Sequence, residues 1–400
     1  MSKAPKLRFK EFSGDWEVKK LGDECRFFSG GTPLTTNRSY YDGNIPFIRS
    51  AEISGDTTEL TISESGLNNS SAKMVQKGDL LYALYGATSG EVSISKIDGA
   101  INQAILCIKS DTLNLSFLEK ILRKNKQNII NTYLQGGQGN LSSNIVKGLK
   151  YSIPSIEEQE KIASFFSLID SKISLQGEKV EALKDYKRGM MQKIFSRELR
   201  FKDDDGRDYP EWEHKKLNRI VERITRKNKG TICTLPLTIS AQYGLVDQVT
   251  FFNKTVASAN LEGYYLLEKG EFAYNKSYST GYPFGAIKRL DRYDRGVLSS
   301  LYICFSILEG VDSDFLVQYF ETSCWHKEIS MIAVEGARNH GLLNISVSDF
   351  FETYHWIPCY DEQVKIGEFL GKIDEKINKE QEKLDSLNEY KKGLLQKMFV

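Results

Sequence analysis

The second half of this 400-residue chain repeats its first. Residues Ile153–Phe195 align without a gap on Ile357–Phe399 at a constant offset of 204, and twenty of the 43 positions are identical, which marks a duplicated element. The identities include Ile153/Ile357, Pro154/Pro358, Glu158/Glu362, Gln159/Gln363, Ile169/Ile373, Asp170/Asp374, Tyr186/Tyr390, Gly189/Gly393 and Phe195/Phe399. A shorter echo leads into each half. Leu7-Arg8-Phe9-Lys10 returns as Leu199-Arg200-Phe201-Lys202, and Trp16-Glu17 with Lys19-Lys20-Leu21 returns as Trp212-Glu213 with Lys215-Lys216-Leu217. A chain built this way is expected to be pseudo-two-fold and to meet partners or targets that come in pairs.

Between lead-in and repeat lie two blocks whose sequences differ almost throughout. The expected layout is a first block over 1–152, a long helix over 153–197, a lead-in and second block over 198–356, and a second long helix over 357–400. The blocks read as mixed α/β (α+β), mostly strand. Ile45–Arg49, Leu80–Leu84, Val92–Lys96 and Ala104–Ile108 are short apolar runs bounded by turn residues, as are Phe272–Tyr274, Gly285–Lys288 and Leu301–Phe305. Leu115–Leu134 and Asp314–Ile332 read as helices.

The long helices carry the clearest pattern. Steps of four and three pick out Ile162, Phe166, Ile169, Ile173, Gln176, Val180, Leu183, Lys187, Met190 and Ile194 in the first. The same steps give Ile366, Leu370, Ile373, Ile377, Glu380, Leu384, Leu387, Lys391, Leu394 and Met398 in the second. A 3.5-residue period kept this long is a coiled-coil seam. Two near-identical seams in one chain can pair with each other, and blocks at opposite ends of the rod would require the helices to run antiparallel. Gln176/Glu380 and Lys187/Lys391 make both seams polar at the same two places, a device that fixes register. Ser155 with Glu158 forms a capping-box pattern after Pro154. Asp170 and Asp374 read as helix-surface charge. Aspartate at Ile173 and Ile377 is expected to be severely destabilising.

Catalytic patterns are absent. No GxxxxGK[ST] loop, no GxGxxG after a strand, and no metal spacing among His214, His326, His340 and His355 occurs. The six cysteines contain no CxxC pair, which favours reduced thiols in a cytosol. No run of 18 apolar residues argues for a membrane span, and the N-terminus has no apolar leader pattern.

The polar loops of the blocks suit nucleic acid. Ser29, Gly31, Thr32, Arg49, Tyr85, Ser89, Gln135, Gln138 and Asn140 are the candidates in the first. The second offers Arg226, Lys227, Gln242, Tyr243, Asn275, Lys276, Tyr278, Arg338, Asn339 and His340. Gln, Asn and Arg can make paired contacts to base edges, and Ser, Thr and Lys can hold phosphates. Net charge is only +1, but residues 1–152 carry 19 basic against 15 acidic side chains. Lys215–Lys229 gathers seven basic residues with one acid, and such a local stripe suffices for phosphate contact.

With its lead-in Leu-Arg-Phe…Trp-Glu-x-Lys-Lys-Leu, its Gly31-Thr-Pro33…Ile45-Pro46 stretch and Ile-Pro-x-x-x-Glu-Gln opening each long helix, the chain resembles the specificity subunits of Type I restriction–modification enzymes. The second block lacks a Gly-Thr-Pro…Ile-Pro stretch. The resemblance implies two target-recognition domains, each reading half of an interrupted site in double-stranded DNA. Two antiparallel helices would separate them and dock two modification subunits. It places S-adenosylmethionine, and with the restriction subunits ATP and Mg, on those partners, leaving this chain without cofactor or catalytic residues. Read from residues alone, two rivals stay open: a methyltransferase or nuclease acting by itself, and a coiled-coil scaffold that binds no DNA. Salt-sensitive DNA binding, with no activity until a modification subunit is added, separates the three. If the helices also act as a ruler, four residues inserted after Arg197 should lengthen the spacer between half-sites.

Overall fold

The computed structural model describes residues 4–134, 140–254, 256–258, 260–279, 281–333 and 343–400. Contacts divide the chain into two units, Met1–Gly177 with Glu382–Val400, and Glu178–Gln381. Both boundaries fall inside long helices, Ile156–Phe195 and Tyr360–Met398. Each unit therefore holds the first part of one long helix and the last part of the other.

In the first unit a four-stranded antiparallel sheet runs in the order Arg26–Ser29, Ile105–Lys109, Leu80–Ala83, Val92–Ile94. Its central strands are apolar on both faces, and alternation sends successive side chains to different cores. Leu80, Tyr82, Leu106 and Ile108 join Phe117, Leu118 and Ile121 of the helix Leu115–Tyr133. Leu81, Ala83, Ile105 and Cys107 face Ile48, Val75 and Ile101 of a second sheet. That sheet has the order Thr61–Ile62, Tyr41–Ile48, Gly99–Ile101, Lys73–Val75.

The second unit repeats the first sheet's order with different residues: Val221–Arg223, Ile303–Ile307, Phe272–Asn275, Ala286–Arg289. Alternation again separates Phe272, Tyr274 and Phe305 from Ala273 and Cys304. All seven predicted strands lie in these sheets, displaced by a few residues at their ends. The helix expected over Asp314–Ile332 is instead two helices, Ser313–Phe320 and His326–Ile332. The Thr322 hydroxyl donates to the Tyr319 carbonyl at 2.6 Å, and the Trp325 indole donates to the Phe320 carbonyl at 3.1 Å. Side chains thus take the acceptors that the next helical turn would need.

The duplicated lead-ins and helix starts are the joints of each unit. Glu17–Lys20 pairs with Lys150–Ile153, and Glu213–Lys216 with Tyr354–Ile357. The Arg8 guanidinium donates twice to Glu158, at 2.8 and 2.7 Å, and Arg200 donates likewise to Glu362, at 3.3 and 2.8 Å. Glu158 is therefore only half a capping box. Its N–H donates to Ser155 Oγ at 3.4 Å, but its carboxylate is taken by Arg8. The neighbouring glutamines work in parallel. Gln159 Oε1 accepts the Asn114 N–H at 3.0 Å, and Gln363 Oε1 accepts the Asp312 N–H at 2.8 Å. Asn114 and Asp312 are the N-caps of the following block helices.

The long helices pack antiparallel, and every seam position is buried or half-buried. In the first unit Lys391 meets Asp170 at 2.5 Å, with Lys120 on the same carboxylate at 2.7 Å. In the second, Lys187 meets Asp374 at 2.7 Å, with the Gln318 amide at 2.8 Å. Asp170 and Asp374 are thus not surface charge. Each neutralises the seam lysine of the other helix. Burial alone would raise the Asp170 pKa, but Lys120 and Lys391 outweigh it and hold the carboxyl below its ordinary value. Glu380, also on the seam, is paired with Lys179 at 3.1 Å. Among the described residues no helix is long and apolar enough to cross a membrane.

Candidate nucleic-acid interface

Strand register gathers the predicted loops of the first unit at one end of its four-stranded sheet. Ser29 lies opposite Leu106, and Ala83 opposite Ile105. The segments after Ser29 and Ala83, and the one before Ile105, therefore leave the sheet together. The Thr32 hydroxyl donates to Gln103 Oε1 at 2.7 Å, the Leu84 N–H donates to the Ala104 carbonyl at 2.8 Å, and Tyr85 bridges Asn140. Thr32, Tyr85, Gln103 and Asn140 are exposed. The result is a run of hydroxyl and amide groups with one aromatic ring. Arg49 follows Ile48, which pairs in parallel with Ile101, so it emerges at the same end.

The same end of the second unit's sheet carries its own loops, because Tyr274 lies opposite Ile303 and Asn275 opposite Ala286. Beside them the hairpin Leu237–Ser240/Gly244–Asp247 closes through three residues, with Gly244 at φ 77°. Gly244 is the first strand residue after the turn, and glycine reaches that left-handed angle without strain. The hairpin turn and the loop after Asn275 share a cavity of about 390 Å³ lined by Gln242, Tyr243, Asn275 and Tyr278, among others. Four predicted residues thus converge from two separate segments.

Residues 13–185 match the Type I restriction modification DNA specificity domain. The Type I restriction enzyme MjaVIII specificity subunit of Methanocaldococcus jannaschii is 23% identical, over 97% of this chain and 94% of that protein. These matches liken the chain to the Type I specificity subunits. The fold agrees. The S subunit of the M. genitalium Type I restriction–modification system superposes with a TM-score of 0.59 over 99% of both chains, at 15% identity. A chain from a structure describing complex assembly and conformational transition of the Type I system gives 0.56 over 96% of this chain and 97% of that one, also at 15% identity. A specificity subunit is the non-catalytic, DNA-recognising member of such a system.

Not every predicted residue presents atoms to a ligand. Gly31 is buried, and a Cβ there would stand 2.6 Å from that of Ser71. Ser89 is buried and its hydroxyl donates to the Leu84 carbonyl at 3.2 Å, while Ser29 is half-buried at its strand end. These three shape loops from within. Arg49 is held by Glu52 at 3.0 Å and by Glu59, which raise its pKa and keep it charged. Arg226 donates to Glu271 at 2.7 Å and to the Leu266 carbonyl at 3.2 Å. Lys227 donates to the Gly263 carbonyl at 2.9 Å and lies 3.6 Å above the Tyr265 ring. Lys276 donates to the Ile345 carbonyl at 3.1 Å, and burial lowers its pKa. These cations brace loops. Gln135, Gln138, Arg338, Asn339 and His340 lie outside the described residues. Sequence reasoning missed Gln103, Phe251 and Tyr282. Gln103 had a signal, a polar Asn-Gln pair interrupting the apolar run Gly99–Ile108.

Proposed function

We propose that this chain is a Type I specificity subunit that reads a bipartite, interrupted site in double-stranded DNA, one half-site with each unit, and carries two modification subunits, with restriction subunits added in the full complex. The supporting observation is the repeated sheet order. Each unit has its own core and its own loop cluster at the same end of that sheet, as independent readers of different half-sites need. On the first unit the bet rests on Thr32, Gln103, Tyr85 and Asn140, and on the second on Gln242, Tyr243, Asn275 and Tyr278.

Duplication supports the paired partner. Tyr186 and Tyr390 keep 51% and 57% of their surface exposed, although the fold gives neither a packing role. Gly189 and Gly393, one helical turn on, have open space where a side chain would stand. The same solvent-facing pair occurring twice is a surface for two copies of one partner. S-adenosylmethionine, ATP and Mg would sit on those partners, in the cytosol of a bacterium or archaeon.

The test is reconstitution with the modification subunits, followed by methylation mapping of a host genome and mass measurement of the complex. Adenine methylation at one two-part motif, with two modification subunits per chain, is expected. Methylation or cleavage by the chain alone would make it an enzyme instead. A stable one-to-one complex under excess partner would remove the symmetry argument.

A further inference from the structure

One cavity of the second unit, between the hairpin turn and the loop after Asn275, is lined unlike a groove-reading surface. At about 390 Å³ it falls among small-ligand sites, which span about 300–1,000 Å³. Four rings line it, Tyr243, Phe251, Tyr278 and Tyr282, together with the Gln242 and Asn275 side chains. Tyr243, Phe251 and Tyr278 expose 58%, 46% and 59% of their surface. Clustered rings that a fold leaves in water mark a binding surface.

The cup is braced before any ligand arrives. The Tyr282 hydroxyl donates to the Ala241 carbonyl at 3.2 Å, tying the loop to the hairpin turn. Ser240 Oγ accepts the Tyr243 N–H at 3.2 Å. Asn275 Oδ1 accepts the Ser277 N–H at 3.1 Å, which orients that amide and leaves its nitrogen to donate. Rings offer stacking faces, and amides both donate and accept. Together they match a flat heterocycle with a hydrogen-bonding edge. In a unit that reads DNA, that heterocycle is a nucleobase. Among the described residues the exposed run Thr32, Tyr85, Gln103 and Asn140 of the first unit holds one ring, Tyr85, so the proposal concerns the second unit.

We propose that this cup accepts one base swung out of the half-site duplex read by the second unit, stacks it on the exposed rings and tests its edge with Gln242 and Asn275. The proposal rests on the DNA-reading function above. Extrusion must break a base pair, so removing the opposing base makes it cheaper.

The experiment uses the full chain with its modification subunits and duplexes that carry the mapped site. An abasic residue is placed in turn opposite each position of the second half-site, and affinity is read by fluorescence anisotropy. At one position other than the methylated adenine, the abasic partner is expected to raise affinity about tenfold, while an abasic residue at the position itself lowers it. Tyr243→Ala with Phe251→Ala should abolish that gain and weaken binding of the intact site about 5- to 150-fold. Both residues are exposed, so thermal unfolding should not change. Tight binding of the intact site with no such position, or a gain that survives the double variant, overturns base capture and leaves DNA reading intact. Failure to prefer the mapped site over other duplexes overturns both.

Discussion

Glu158 and Glu362 expose 1% and 0% of their side chains, and a carboxylate so far from water must keep its cation. Arg8→Met is therefore expected to cost about 3 kcal/mol in urea unfolding. Replacing both Arg8 and Glu158 by Met should recover most of that loss, because the stranded charge goes too. Arg200→Met should cost less, since the Trp212 indole also donates to Glu362, at 3.2 Å, whereas the Trp16 indole has no partner among the described residues. Equal losses in the two units would refute this account. Sequence comparison marked all four ionic residues as duplicated, but it could not show that they touch, because lead-in and helix are distant along the chain. His355 is a second residue with a measurable consequence. It is buried between the Tyr319 hydroxyl and Thr353 Oγ1, each at 2.9 Å. Burial, helped by His214, pushes its pKa from 6.5 down to about 3. The unfolded chain then takes up its proton first as pH falls. The stability owed to the neutral ring is complete above about pH 6.5 and is lost progressively toward pH 3. Thermal melts between pH 7.5 and 5 should decline, and His355→Gln should remove the greater part of that slope.

Among the elements, the long helices were the most legible, because a coiled-coil period is written in the sequence itself. What the period cannot express is that the seam is uneven. Near the ends it belongs to the cores of the units: Ile162, Phe166, Leu394 and Met398 pack in one, and Ile194, Ile366 and Leu370 in the other. Toward the middle Ile173, Ile377, Leu183 and Leu387 are only half-buried, so water still reaches them. Phe166→Ala is expected to cost about 3–5 kcal/mol by urea unfolding. Ile173→Asp and Ile377→Asp should cost about 1–2 kcal/mol each, less than a uniformly sealed seam would imply. A loss at Ile173 as large as that at Phe166 would show that the middle is closed in solution. The reading loops were less legible for a related reason. Thr32, Gln103 and Asn140 are brought to one sheet end by strand order, and strand order is set by pairings between remote segments. Phe251 carried no signal at all, since its side chain matters only for the cavity beside it.

At the scale of the molecule, the chain passes between units only at 177/178 and 381/382, inside helices. This bears on the expected ruler. Arg197 lies beyond the first long helix, at φ 66° and wholly within the second unit. An insertion there lengthens neither helix between its two units. Four residues added after Gly177, matched by four after Gln381, would lengthen both by about 6 Å. Methylation mapping is expected to show a longer spacer with unchanged half-sites for the paired insertion, and an unchanged spacer for the one after Arg197. Exchanging residues 22–150 for the block of a related subunit should alter one half-site alone, because the Arg8–Glu158 joint lies outside the exchange.

The same partition has a consequence for biosynthesis. Unit Glu178–Gln381 is one uninterrupted stretch, whereas the first unit needs Glu382–Val400, made some two hundred residues after the rest of it. Phe399 packs against Trp16, Phe117 and Phe166, with ring centroids 6.5, 5.3 and 5.8 Å away, so that core stays open until translation passes it. The usual vectorial order, in which the N-terminal domain folds first, is inverted. A released chain ending at Gln381 is expected to show a protease-resistant second unit and a protease-sensitive first one. Loss of Glu382–Val400 would thus disable the unit that is otherwise built from residues up to Gly177.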